Sequence, residues 1–227
     1  MSSIFLTFYS FPLPDGSQIV KAVKETPPQI TPTSTTAFTQ DYAGVKYQFT
    51  PRGSFEIYGL VVEQYDSQNW LDITHQKDPA QTKDLCLVWG ENITTGAYLQ
   101  AKYSHGEFTC FFGWDSSNPL RFNGQLLTNN HLIPQNETIQ KLLKKTRTGD
   151  QVYIKGTLVD YSILDNQGAE VWFRKTSTSL GDQDCEVVLV SEYKILKEVN
   201  PFIKNIKADS YKTLGLTTLL GFILFFI

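Results

Sequence analysis

Apolar and polar residues alternate along most of the chain with a period of two, which is the pattern of strands that bury one face. The runs that follow this pattern cover residues 4–11, 45–50, 54–65, 85–89, 107–114, 150–163, 169–174 and 185–196. They predict seven or eight β-strands. A Pro-Arg-Gly turn at residues 51–53 predicts that the second and third runs form a hairpin. Gly59 and Gly156 lie inside runs and indicate bulges or sharp coiling there.

One convincing soluble helix is predicted in the second half of the chain. Asn136 suits the N-cap position, and the apolar residues between 139 and 143 form a single face. Basic residues follow in the last turn, and Gly149 ends the helix. Residues 116–134 contain Asn-Pro, Asn-Gly and Asn-Asn pairs, which predict an irregular stretch.

These elements predict a mainly β fold. Long strands with interior glycines and one helix between the middle strands suit a small, partly open barrel resembling an OB-fold, and a β-sandwich is the alternative. The predicted divisions are an N-terminal strand with a Pro/Thr-rich connector (1–43), a β-barrel domain (44–198), a linker (199–212) and a C-terminal transmembrane anchor (213–227).

The last 15 residues carry no charged side chain. A helix of that length covers roughly 22 Å, which is short of the ~30 Å hydrocarbon core, so we expect a marginal membrane anchor that contacts lipid. A buried helix or strand of the body is the alternative. Lys204, Lys207 and Lys212 precede the run and predict a single-pass segment with the body in the cytoplasm. The anchor residues are Leu214, Leu216, Leu219, Leu220, Phe222, Ile223, Leu224, Phe225 and Phe226.

Composition excludes some partners. The chain has a net charge of −3 and a pI of about 5.6. It therefore lacks the broad basic face on which nonspecific nucleic-acid binding depends, and nucleic acid is disfavoured as a partner. Three cysteines, Cys86, Cys110 and Cys185, lie in apolar runs without CxxC spacing, and we expect reduced, buried thiols. One disulfide is the alternative if the body lies outside the cytoplasm.

Few residues have a spacing that indicates chemistry. His75 lies three residues from both Asp72 and Asp78, but the neighbouring residues disfavour the helix that would align them, so we predict no metal site. We also predict no cofactor and no catalytic residue, because no activated nucleophile is recognisable. The segment RKTSTS at 174–179 could receive a phosphate or a carboxylate, and a solvated turn is the alternative.

Several motifs together resemble a family of uncharacterised, mostly bacterial proteins. They are SQNWLDITHQKDPAQTKDLCLVWGENI (67–93), NNHLIPQNETI (129–139), GDQVYIKGTLVDYS (149–162), RKTSTS (174–179) and CEVVLVSEYKILK (185–197). The resemblance spans about residues 55–197. It implies a bacterial, membrane-associated β-domain of the small-barrel type and supplies no mechanism.

The segments WLDITH, NHL-P and TSTS recur in that family, and if they meet in space they form one polar patch. The predicted binding residues are Trp70, Asp72, His75, Asn130, His131, Arg174, Thr176 and Ser177. Our leading expectation is a tail-anchored, non-catalytic β-domain that acts as a protein-binding or accessory subunit of a membrane assembly. The alternatives are a hydrolase or ligand-binding enzyme that uses the patch around His75, His131 and Arg174, and an OB-like nucleic-acid-binding module.

Overall fold

The computed structural model describes residues 13–68, 75–115, 117, 120–181 and 184–199. The predicted strand at 4–11, the candidate residues Trp70 and Asp72, and the predicted anchor at 213–227 lie outside these ranges. Among the described residues, no helix has the length and apolar character needed to cross a membrane.

The described residues form nine strands and two α-helices, together with short 3₁₀ turns. The strands are β1 (Phe38–Tyr42), β2 (Val45–Tyr65), β3 (Lys83–Val88), β4 (Ala101–His105), β5 (Cys110–Trp114), β6 (Leu127–Pro134), β7 (Gln151–Leu164), β8 (Glu170–Arg174) and β9 (Cys185–Lys197). The helices are α1 (Glu91–Thr94) and α2 (Glu137–Lys145). The chain is therefore mainly β, as the alternating pattern predicts.

Five strands close into a ring. The pairings run from β2 to β3, β6, β9 and β7, and β7 pairs again with β2. All are antiparallel except β6 with β9, which is parallel. Strand β1 extends the sheet beyond β2, and β8 extends it beyond β7. The β4–β5 hairpin forms a separate small sheet.

The predicted hairpin within residues 45–65 is wrong, because β2 is a single strand of 21 residues. The Pro-Arg-Gly segment shifts the register against β7 between Pro51 and Gly53 instead of reversing the chain. A bulge accommodates one extra residue while the strand continues. The extra residue, Arg52, donates from Nε to the Asp160 carboxylate at 2.7 Å.

Glycine marks a second irregularity, as predicted. The pairing of β7 with β9 shifts register between Lys155 and Gly156. A Cβ atom at Gly156 would lie 2.4 Å from the Leu189 carbonyl oxygen. Only glycine allows the two backbones to approach this closely.

The main apolar cluster receives side chains from all five ring strands, for example Ile57, Leu87 and Val188. Helix α2 adds Ile139 and Leu143 to this cluster. The helix prediction is confirmed, although the helix ends at Lys145 and not at Gly149. Its N-cap is as expected: Asn136 Oδ1 accepts the Ile139 amide at 3.0 Å.

A second cluster lies between the sheet and the segment that precedes β1, which contributes Ile19 and Val23. Here Cys86 of β3 and Cys110 of β5 form a disulfide, and Cys185 is the free cysteine among the described residues. The expectation of three reduced thiols is therefore wrong. The two partners are 24 residues apart, and only the docking of the β4–β5 hairpin onto β3 brings them together.

Strand β6 corrects the prediction that residues 116–134 are irregular throughout. All eight of its residues are buried between β3 and β9, including Asn129, Asn130 and His131. The Asn-Asn pair that resembles a turn has its side chains bonded within the fold, with Asn130 Nδ2 donating to the Leu85 carbonyl at 3.1 Å. Tertiary partners therefore outweigh the local turn preference of asparagine.

Candidate functional site

A buried pair of polar side chains lies where β3 meets β6. Asp84 and His131 face each other across the two strands, and neither is accessible to solvent. The Asp84 Oδ1 atom lies 2.8 Å from His131 Nδ1. Gln81 donates from Nε2 to the same carboxylate oxygen at 2.8 Å. The carboxylate is thus held from the segment before β3 as well as from β6.

Arg174, the last residue of β8, completes a chain of three side chains. One of its terminal nitrogens contacts His131 Nε2. A guanidinium can only donate, so Nε2 accepts and the His131 proton lies on Nδ1, directed at Asp84. Burial lowers the pKa of His131, the Asp84 carboxylate opposes this shift, and the Arg174 charge adds to it. The imidazole is therefore neutral and links the carboxylate to the guanidinium.

Aromatic rings pack next to the three side chains Asp84, His131 and Arg174, on the side of Arg174. The Arg174 guanidinium carbon lies 5.1 Å from the centre of the Phe108 ring. His75 packs against the same ring at 4.7 Å and against Tyr65 at 5.7 Å. His75 is thus connected to Arg174 through Phe108. His105 also joins this group, because it stacks on Tyr65 at 5.6 Å.

His75 and His105 form one aromatic cluster with Tyr65 and Phe108. His105 Nε2 lies 3.0 Å from the Asn129 side-chain oxygen, so that ring is engaged by the protein. Among the described residues, no three His, Cys, Asp or Glu side chains are placed to hold a metal ion.

Thr176 and Ser177 are buried, and their hydroxyls shape the loop after β8. The Thr176 hydroxyl accepts the Val187 amide at 2.9 Å and donates to the Ser177 carbonyl. The Ser177 hydroxyl accepts the Ser179 amide at 3.0 Å. Asp160 accepts the Thr176 amide at 2.9 Å. This loop is therefore fixed to β7 and β9 by hydrogen bonds.

A cleft of about 410 Å³ opens beside this loop. It is lined by Arg174, Lys175, Thr176, Ser177, Thr178, Asp184 and Cys185. Burial raises the pKa of the Cys185 thiol, which disfavours the thiolate form. The cleft thus offers two cations, one carboxylate and a protonated thiol.

The structure brings together part of the predicted patch. His131, Arg174, Thr176 and Ser177 form one continuous group, and His75 joins it through Phe108. Asn130 is separate from them, because neighbouring residues of a strand point to opposite faces and its amide contacts the Leu85 carbonyl.

Sequence reasoning missed Asp84, Gln81, Phe108 and Asp184. The signal at Asp84 was a carboxylate at the start of a buried strand, which requires a partner. The partner itself could not be identified without the register of β3 against β6.

No protein-family model, curated protein or solved structure matches this chain.

Proposed function

We propose that this chain is a non-catalytic β-domain, anchored to a membrane by residues 213–227, that acts as a protein-binding or accessory subunit of a membrane assembly. The observation that carries the proposal is the edge strand β8. It is the outermost strand of the sheet, next to β7, and it exposes three consecutive apolar side chains.

The exposure of β8 is large for apolar residues. Val171 is 61% exposed, Trp172 48% and Phe173 52%. Edge strands of soluble proteins are commonly protected by lysine, proline or a covering element, because their free backbone groups can pair with another chain. Strand β8 carries no such residue between its terminal Glu170 and Arg174. We infer that an extended segment of a partner protein adds to this edge, with main-chain hydrogen bonds supplying affinity.

The order of the strands supports a small OB-like barrel in preference to a β-sandwich. The five-strand ring closes through β2 and β7, and α2 lies between β6 and β7. In a sandwich, two separate sheets would pack face to face.

The contacts between Asp84, His131 and Arg174 support a binding role over a catalytic one. His131 has no solvent access, and its Nε2 atom is occupied by Arg174. A general base needs a free nitrogen within reach of the proton it removes. The thiol of Cys185 is held in its protonated form by burial, so it is not an activated nucleophile.

Two features of the chain favour opposite sides of the membrane for the body. The lysines before residue 213 favour a cytoplasmic body. The Cys86–Cys110 disulfide favours an oxidising compartment, since the cytosol keeps thiols reduced. We give the disulfide more weight, because only three lysines support the opposite orientation, and we propose an extracytoplasmic body.

Carbonate extraction tests the anchor. We expect the full chain to stay in the membrane pellet and a chain ending at Lys212 to be released, because the truncation removes the whole apolar run. A full chain that is released as readily as the truncated one would contradict the anchor.

Site-specific photo-cross-linking tests the partner. With a photoreactive residue in place of Trp172, we expect one discrete adduct in membranes of the organism that makes the protein. The same residue in place of Lys102, which is exposed on β4, is the matched control and should give none. Replacing Val171 by lysine should weaken the adduct, because a charged side chain at an edge disfavours strand addition. Equal adducts at the two positions would exclude β8 as a specific docking edge.

A further inference from the structure

We propose that the cleft beside Arg174 is a binding site for an oxyanion, namely the phosphate or carboxylate group of a small molecule. The proposal goes beyond partner docking at β8. It rests on the position of one guanidinium group and on the charges around it.

The Arg174 guanidinium is held in place from two directions. One of its terminal nitrogens contacts His131 Nε2, and the ring of Phe108 packs against its plane at 5.1 Å. Asp84 fixes the imidazole from behind through the 2.8 Å contact to Nδ1. The remaining N–H groups of Arg174 make no hydrogen bond to any described residue. A guanidinium carries five N–H donors, so donors remain for a ligand.

Arg174 itself lines the cleft, which connects these donors to an open volume. A planar guanidinium fork matches a carboxylate or a phosphate with two parallel hydrogen bonds. The volume of about 410 Å³ lies within the range of small-molecule sites. An oxyanion with a compact organic group attached therefore fits this space.

The charges in the cleft favour an anion. Arg174 and Lys175 contribute two positive charges, and Asp184 contributes one negative charge. The exposed Thr178 hydroxyl has no hydrogen-bond partner among the described residues and can donate to a ligand. Asp184 opposes anion binding, so its removal should strengthen binding while removal of Arg174 should weaken it.

The start of the loop, at Thr176 and Ser177, is held by hydrogen bonds within the protein. Its backbone is bonded to Asp160 through the Thr176 amide, and the Thr176 hydroxyl accepts the Val187 amide, both at 2.9 Å. A site with this frame avoids most of the cost of ordering a loop on binding.

Titration of the full chain in mild detergent tests the site. The probes are inorganic phosphate, methyl phosphate and acetate, with chloride at equal ionic strength as the control. Binding is followed by calorimetry and by the NMR signal of the Arg174 Nε–H group. We expect saturable binding of at least one oxyanion and none of chloride. Phosphate preferred over acetate identifies a phosphorylated ligand, and the reverse preference identifies a carboxylate.

Variants assign the binding to this cleft. Arg174→Gln should weaken binding by about tenfold or more, because the charged bidentate contact is lost. Lys175→Gln should weaken it by about threefold, and Asp184→Asn should strengthen it by a similar factor, as expected for charges screened by solvent. Arg121→Gln removes an exposed arginine that does not line the cleft and should leave affinity unchanged.

The outcomes separate clearly. Chloride and phosphate giving the same response would overturn the proposal, as would a folded Arg174→Gln variant with unchanged affinity. If Arg174→Gln does not fold, Arg174→Lys keeps the charge without the fork, and together with Lys175→Gln and Asp184→Asn it decides the question. These titrations do not involve the exposed residues 171–173 of β8, where docking is proposed, so their failure is distinguishable from failure of the cross-linking at Trp172.

Discussion

His131 is the residue whose protonation matters most for the site. It lies between a carboxylate and a guanidinium, and burial keeps its pKa below 6.5, the ordinary value. Unfolding exposes the ring to water and restores that value. Below about pH 6.5 the unfolded chain therefore binds a proton that the folded chain excludes. The free energy of unfolding should consequently fall as the pH drops through this range.

His131→Gln tests this linkage. Glutamine does not titrate, so the variant should be less stable at neutral pH but should lose less of its stability between pH 7 and pH 5. We expect the wild-type protein to lose more stability than the variant over this range, because only in the wild type does unfolding release a buried ring that then takes up a proton. The measurement is urea unfolding at a series of pH values. Parallel pH profiles for the two proteins would mean that His131 does not contribute to the acid sensitivity.

Asp78 fixes the segment just before Gln81 through hydrogen bonds to two tyrosines. Its carboxylate accepts hydrogen bonds from the hydroxyls of Tyr47 and Tyr161, and the Tyr47 oxygen also accepts the Ala80 amide at 3.3 Å. Burial and the Asp78 charge raise the pKa of Tyr161, so its hydroxyl stays protonated and donates. This arrangement orders the chain just before Gln81, which contacts Asp84.

Tyr161→Phe should therefore destabilise the protein by about 1–3 kcal/mol, because it leaves a buried carboxylate with one donor fewer. Chemical denaturation measures this change. Tyr58→Phe is the matched control, since the Tyr58 ring packs on Tyr153 and no hydrogen bond of its hydroxyl occurs in the described chain. Equal destabilisation by the two substitutions would show that the bond to Asp78 contributes nothing specific.

At the scale of secondary-structure elements, the sequence correctly predicted the helices and strands that are stabilised by residues close to one another in the chain. Helix α2 has its cap, its apolar face and its basic last turn within about ten residues, and it forms where predicted. Strands β7 and β9 alternate strongly and also match. Strand β6 was missed because its asparagines favour turns locally and become strand residues only between β3 and β9.

The site shows the same limit. The loop at 174–179 was recognisable from its cations and hydroxyls, but Asp84 was not, because its role depends on lying opposite His131 in the register of two strands. The hydroxyls of Thr176 and Ser177 were predicted to bind a ligand, yet the structure uses them to brace the loop. A composition pattern cannot distinguish these two uses.

A substitution at Gly156 tests the close approach of β7 and β9 within the five-strand ring. Gly156→Ala would place a methyl group against the Leu189 carbonyl oxygen, where a Cβ would lie at 2.4 Å, so β7 and β9 would have to separate. We expect a loss of about 1–3 kcal/mol in the free energy of unfolding. Gly113→Ala is the control, because a Cβ there meets nothing within 4 Å, and it should change stability by less than about 0.5 kcal/mol. Thermal unfolding of both variants would refute the close contact if their losses were alike.

For the whole molecule, the disulfide links the small hairpin sheet to the ring. Cys86 lies in β3 and Cys110 in β5, and the bond closes a loop of 24 residues. Removing a crosslink of this size should cost about 3 kcal/mol through the entropy gained by the unfolded chain. The paired substitution Cys86→Ser and Cys110→Ser should lower the unfolding free energy accordingly, whereas Cys185→Ser should not reproduce this loss.

The state of the same cysteine pair in living cells decides which side of the membrane holds the body. If the body is extracytoplasmic, as we propose, cells quenched with acid should yield a chain that takes one polyethylene-glycol maleimide tag after denaturation, on Cys185. Reduction before tagging should raise this to three, the number of cysteines in the chain. The Cys185→Ser variant should take none without reductant. A chain that takes three tags without reductant would place the body in the reducing cytosol, where the lysines before residue 213 predict it.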